Sequence, residues 1–91
     1  MIIQTTDDVK TFVRMQFAEG VNFNPDTDFR DYINLETREA TFSEAEAKRR
    51  NLLNERCFEV CEGAGVSFYS LGLEIFENET ELGRKLLDTR D

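Results

Sequence analysis

Ser43-Glu44-Ala45-Glu46-Ala47-Lys48-Arg49-Arg50 opens the stretch, continuing to Gly65, on which the reading of the fold turns. Ser43 followed three residues later by Glu46 is the spacing of a capping box, where a hydroxyl and a carboxylate satisfy two backbone N–H groups that a helix start leaves bare. Beyond it, Leu53, Cys57, Val60, Cys61 and Ala64 recur at steps of four, three, one and three, joined by Leu52 and Ala45. Lys48, Arg49, Asn51, Glu55, Arg56, Glu59 and Glu62 fall mostly elsewhere, so the pattern predicts a long amphipathic helix over 43–62 with Gly63 and Gly65 as its stop.

Upstream, Thr5-Thr6-Asp7-Asp8 supplies N-cap candidates and first-turn carboxylates, and Val9, Phe12, Val13 and Phe17 then recur at helical spacing up to Gly20. A first helix is expected over 6–19. The connection Val21-Asn22-Phe23-Asn24-Pro25-Asp26-Thr27-Asp28 has the Asn, Pro and Asp density of a loop, with Phe23 expected to anchor it in the core. Phe29, Tyr32 and Ile33 suit one helical turn, which we favour over a strand alternating Phe29, Asp31, Ile33 and Leu35. The residues after it carry no helical stripe, which leaves an irregular segment or a short hairpin with Tyr32-Ile33 facing Thr41-Phe42.

Downstream, Phe68, Leu71, Gly72, Ile75 and Phe76 fall at helical intervals with Ser67 as cap, and the strand alternative breaks phase between Phe68 and Leu71. This predicts a helix over 67–77. Asn78-Glu79-Thr80-Glu81 leads into a last weak stripe, Leu82, Leu86 and Leu87, expected as a helix over 79–88 with a frayed end at 88–91. The fold class is therefore mainly α: a compact bundle of about four helices with an irregular or hairpin segment between the first two, and α+β as the alternative.

Ninety-one residues, 40% hydrophobic and with ten Phe and Tyr, suit a single domain whose core is largely aromatic. Nineteen acidic against eleven basic side chains leave a net charge of −8, which opposes direct binding to nucleic acid or to anionic lipid. Histidine is absent, which removes imidazole as base, shuttle or metal ligand. No segment reads as a signal peptide or a membrane span, and the two cysteines stand four apart on the long helix, a spacing ill-suited to a disulfide. A reduced, cytoplasmic setting is expected.

The candidate sites divide by chemistry. Cys57 and Cys61 lack the further ligands that structural zinc needs and are expected as buried, inert thiols. Asn22, Asn24, Asp26, Asp28 and Asp31 resemble a calcium loop in composition but fail its register, since a count from Asp26 puts Asp31 where Gly belongs and Thr37 where Glu belongs. Gly63-Ala64-Gly65 follows a helix instead of preceding one, and no serine has an imidazole partner, so no catalytic, cofactor or metal residue is assigned. Lys48-Arg49-Arg50 is the one basic cluster, and its neighbours Glu44, Glu46 and Glu55 favour an internally paired face. The residues put forward for partner binding are Phe29 and Tyr32, from the long connection, and Arg49 and Arg50. For Phe23, Phe29, Tyr32 and Phe42 the favoured reading is nonetheless that all four turn inward.

Asp31-Tyr32-Ile33-Asn34-Leu35-Glu36-Thr37, with Ala40-Thr41-Phe42-Ser43 and Cys57-Phe58-Glu59-Val60-Cys61-Glu62, resembles short uncharacterised bacterial proteins often found among mobile-element genes. The resemblance covers about half the chain and carries over no activity and no site residue. The expected function is a small acidic interaction or regulatory module without enzymatic activity, requiring no cofactor and meeting a protein partner of basic character. A homodimer through the C-terminal helices is compatible with it. The alternatives are a nucleic-acid mimic that inhibits a DNA- or RNA-processing enzyme, which the interspersed Lys and Arg weaken, and a small carboxylate-dependent enzyme.

Overall fold

The computed structural model describes residues 1–80, in which three α-helices pack around one core. They are α1 (Thr6–Ala18), α2 (Glu44–Ala64) and α3 (Phe68–Glu79), with a 3₁₀ turn at Phe29–Asp31 between the first two. The helix expected over 79–88, and the end at 88–91, fall outside the described residues apart from the first two positions, Glu79 closing α3 and Thr80 its extended C-cap.

Each helix starts on a hydroxyl. Thr5 carries a complete capping box: its Oγ1 accepts from Asp8 N at 3.2 Å, and Asp8 Oδ2 accepts from Thr5 N at 3.1 Å and from Gln4 N at 3.0 Å. Those two backbone donors, Gln4 before Thr5, hold the Asp8 carboxyl below its ordinary range. At Ser43 only half of the expected box forms. Ser43 Oγ accepts from Glu46 N, but the Glu46 carboxylate turns to Arg49 and Arg50. Three charge-assisted bonds from two guanidinium groups outweigh one bond to a backbone amide. Helix α2 runs straight through Gly63 and stops at Gly65, which takes the left-handed conformation at φ 70° and donates to Cys61 O and Glu62 O.

The 29–42 segment resolves as the single 3₁₀ turn followed by an isolated antiparallel bridge, Ile33 to Ala40, with bonds from Asn34 N to Glu39 O and from Thr41 N to Tyr32 O. Among the described residues there is no strand, so the short hairpin and the α+β alternative give way to a mainly helical fold. The physical reason is local: Asn34 Oδ1 accepts from Glu36 N and Thr37 N, curling the chain into a turn, and residues 33–41 are all exposed, leaving no apolar face for a sheet to bury.

The core is formed by Val9, Phe12 and Val13 of α1, Cys57 and Cys61 of α2, and Phe68, Leu71 and Ile75 of α3, with Phe23 and Phe29 from the connection between α1 and α2. Helix α2 buries part of the face its apolar residues suggest, with Cys57 and Cys61 inside and Leu53 and Val60 packed against the core, and adds polar positions to it. Ala47, Arg50, Asn54, Cys57 and Cys61 point inward while Leu52 is 58% exposed. No helix among the described residues is long and apolar enough to cross a membrane.

Phe29 has no exposed surface and meets Phe12, Phe23, Tyr32 and Phe42 at centroid distances of 5.7–6.2 Å. Phe29→Ala is therefore expected to cost about 3–5 kcal/mol, read as a fall in the urea midpoint. Burial, with Cys61 close by, pushes the Cys57 thiol up to about 12, and burial raises Cys61 as well. Both thiols should resist a disulfide reagent in the folded chain and react at once in denaturant; rapid labelling without denaturant would refute their burial.

Candidate docking face

In the segment leaving α1 the side chains alternate between core and solvent. Val21, Phe23 and Pro25 are buried, so Asn22, Asn24 and Asp26 between them face outward. A tight turn follows, in which Asn24 Oδ1 accepts from Asp26 N at 2.9 Å and Asn24 O from Thr27 N at 3.0 Å. Asp28 then caps the 3₁₀ turn by accepting from Arg30 N at 2.9 Å. These local bonds use Asn24 and Asp28, two of the five side chains that composition alone would offer to calcium. Among the described residues, no group of three His, Cys, Asp or Glu is placed to hold a metal ion.

Two asparagines about one helical turn apart on α2 fasten this loop. Asn51 Oδ1 accepts from Phe29 N and Asn51 Nδ2 donates to Asp28 Oδ1, both at 2.9 Å; Asn54 Nδ2 donates to Pro25 O at 2.9 Å. On the far side Tyr69 of α3 donates its hydroxyl to Asp26 Oδ1 at 2.6 Å. Tyr32 closes the loop on itself, donating to Asn22 O at 2.8 Å with Thr27 Oγ1 at 3.1 Å. The result is a hollow of about 320 Å³ walled by the outward asparagines, Asp26, Asp28, Asp31 and the Tyr32 ring, with no cationic side chain in its lining.

Of the four residues put forward from sequence, the structure gathers three around a residue that was not among them. Phe42 has Phe29 at 5.7 Å, Tyr32 at 6.0 Å and the Arg50 guanidinium at 4.3 Å from its ring centroid. Phe29 is wholly interior, and Arg50 is buried between helices, donating to Gln16 Oε1 at 2.6 Å, to Glu19 and to Glu46. Neither offers its side chain to a partner in the folded chain. Tyr32 is half-buried and keeps its outer edge on the hollow, while Arg49 is exposed but paired with Glu46 at 2.7 Å.

The surface contribution that single-residue reasoning missed is the outward row Asn22, Asn24 and Asp26. Its signal was present as a period of two, apolar at Val21, Phe23 and Pro25, inside a segment dominated by turn formers. No family model, curated protein or solved structure matches this chain.

The charge pairing also fixes a pH response. Bonds from Arg49 and then Arg50 hold the Glu46 carboxyl down to about 2 from an ordinary 4.5, and Arg30 foremost holds Asp28 far below its usual range. A carboxyl lowered by folding stabilises fully above its unfolded pKa and loses that contribution as pH falls through the folded one. Stability is thus expected to drop between about pH 4.5 and about pH 2. In Glu46→Gln the drop over that window should be shallower, measured as urea midpoints against pH; identical slopes would show that the pairing has no energetic weight.

Proposed function

We propose that this chain is a small acidic protein-interaction module, without enzymatic activity of its own, that docks a basic protein partner through the face formed by residues 22–32. The observation that carries the reading is the distribution of charge. Arg14, Arg30, Arg49, Arg50 and Arg56 are each tied to a carboxylate of the same chain, through Glu79, Asp28, Glu46, Glu19 with Glu46, and Glu59 in turn. The excess negative charge is therefore left at carboxylates such as Asp26 and Asp31, on the wall of a hollow with no basic side chain of its own. A positively charged surface would be steered to this face over roughly a Debye length, and the rigid Tyr32 edge gives it something flat to pack on.

The test is capture from nuclease-treated host lysate by the tagged chain, beside an Asp26→Asn/Asp31→Asn double variant. Both substitutions keep the local shape, and the side-chain oxygen that Asp26→Asn retains can still accept from Tyr69. A basic protein retained by the wild type at low salt, released at about 0.3 M and lost on the double variant is the expected result. Equal retention by both proteins would place docking elsewhere, and a salt-sensitive DNA- or RNA-processing enzyme in its place would favour the mimic.

A further inference from the structure

The eleven residues from Gly63 to Leu73 contain no charged side chain, in a chain of which 33% is charged. Part of that run serves the core: Phe68, Leu71 and Gly72, with Ile75 beyond them, are the buried side of α3. Helical geometry puts Leu73 about 150° around the axis from the centre of these four, with Tyr69 and Ser70 flanking it one turn back. Leu73 is 55% exposed and Tyr69 51%, and Val66, in the turn before the helix, is exposed as well. A helix apolar on two opposite sides is a helix covered on both, and the core covers one. Leu52, exposed to a similar degree, has Arg30, Lys48 and Glu55 for neighbours, and a scattered residue of that kind needs no cover. The two ends of α3 also differ in charge. Its first turn has no acidic residue, whereas α1 starts with Asp7 and Asp8 and α2 with Glu44 and Glu46. Its acids, Glu74, Glu77 and Glu79, all lie in the second half, toward the negative end of the helix dipole.

We propose that this outer face of α3 packs antiparallel against the same face of a second copy, forming a weak two-fold dimer. A two-fold interface sets each patch against itself. For a chain of net charge −8 such contact is repulsive over most of the surface and least so over a run without charge. A basic partner, by contrast, is drawn to the acids of the 22–32 face and gains nothing from an uncharged stripe. Antiparallel pairing brings Leu73 of each copy to Tyr69 and Ser70 of the other, where the small serine lets the helices close up. It also carries Glu74 and Glu77 of each copy toward the acid-free first turn of the other, so that each dipole end meets charge of the opposite sign. Parallel pairing would set Glu74 against Glu74. The stripe is short, which keeps the dimer dissociable. It shares Tyr69 with the acidic face, since that hydroxyl donates to Asp26, so Leu73 is the position that separates the two surfaces.

The experiment is sedimentation equilibrium of the chain from about 10 μM to about 1 mM in about 0.15 M salt, with backbone amide NMR signals followed over the same range. The mass is expected to rise from monomer toward dimer, with concentration-dependent shifts centred on Tyr69, Ser70, Leu73 and Glu74. Leu73→Gln should weaken the association about tenfold and leave the urea midpoint of the monomer unchanged. Glu74→Gln should weaken it about threefold, although it removes negative charge; a stronger dimer in that variant would overturn the antiparallel contact and the charge argument with it. A monomer at every concentration would overturn the dimer and leave the face to a different protein. Association that Leu73→Gln does not weaken, or whose shifts fall on another face, would overturn it equally. A lower urea midpoint in Leu73→Gln would mean that the face is covered within the chain, which also excludes a second copy there.

Discussion

A phenylalanine delivered by a loop, and not by any of the three helices, is what the rest of this structure leans on. Phe29 is buried to zero exposure, and a loop residue can reach the core only if its backbone polar groups are satisfied on the way in. Asn51 meets that condition by accepting from Phe29 N, and the same amide reaches Asp28, which caps the turn that aims the ring. Ring, cap and helix-borne amide are thus one unit. Through it Phe12 of α1, Phe23 of the loop after α1 and Phe42 at the entrance to α2 share one aromatic cluster, which supplies burial that a domain of this size is short of.

The interior of α2 carries polarity for a related reason. Arg50, Asn54 and, across from them, Gln16 of α1 are buried, and each is bonded to a neighbouring element or its own helix. Arg50 reaches both Gln16 of α1 and Glu19 at its end while lying over Phe42, so one guanidinium sets how α1 and α2 are turned relative to each other. Removing a charge from water is costly, and the cost is met here by three acceptors and an aromatic face. An apolar residue in its place would pack with less directional demand.

The surface follows from the same interior demands. Turning Val21, Phe23 and Pro25 inward forces Asn22, Asn24 and Asp26 outward, and the ion pairs of Arg30 and Arg50 within the chain leave Asp26 and Asp31 of the loop outside any salt bridge among the described residues. The proposed docking face is in this sense a by-product of packing, held in place by the two asparagines that fasten the loop to α2.

Much of the fold was legible along the chain. The three helices of the described residues stand within two residues of their expected ends, because Thr5, Ser43 and Ser67 are caps whose effect is local and the apolar stripes of α1 and α3 match one face. The turn at Phe29 and the inward aromatics were readable for the same reason. The buried face of α2 was legible only in part: Cys57 and Cys61 go inside as their spacing indicates and Leu53 and Val60 pack on the core, but Arg50 and Asn54 go in beside them while Leu52 stays out. Nor could composition separate Arg49, exposed, from Arg50, buried, although they are adjacent and identical. Helix starts and periodicities depend on neighbours a few residues away, so the sequence by itself determined them. Which polar side chains are buried depends on acceptors far off in sequence, Gln16 and Glu19 for Arg50 and Pro25 for Asn54, and those are brought within bonding distance only by the tertiary structure.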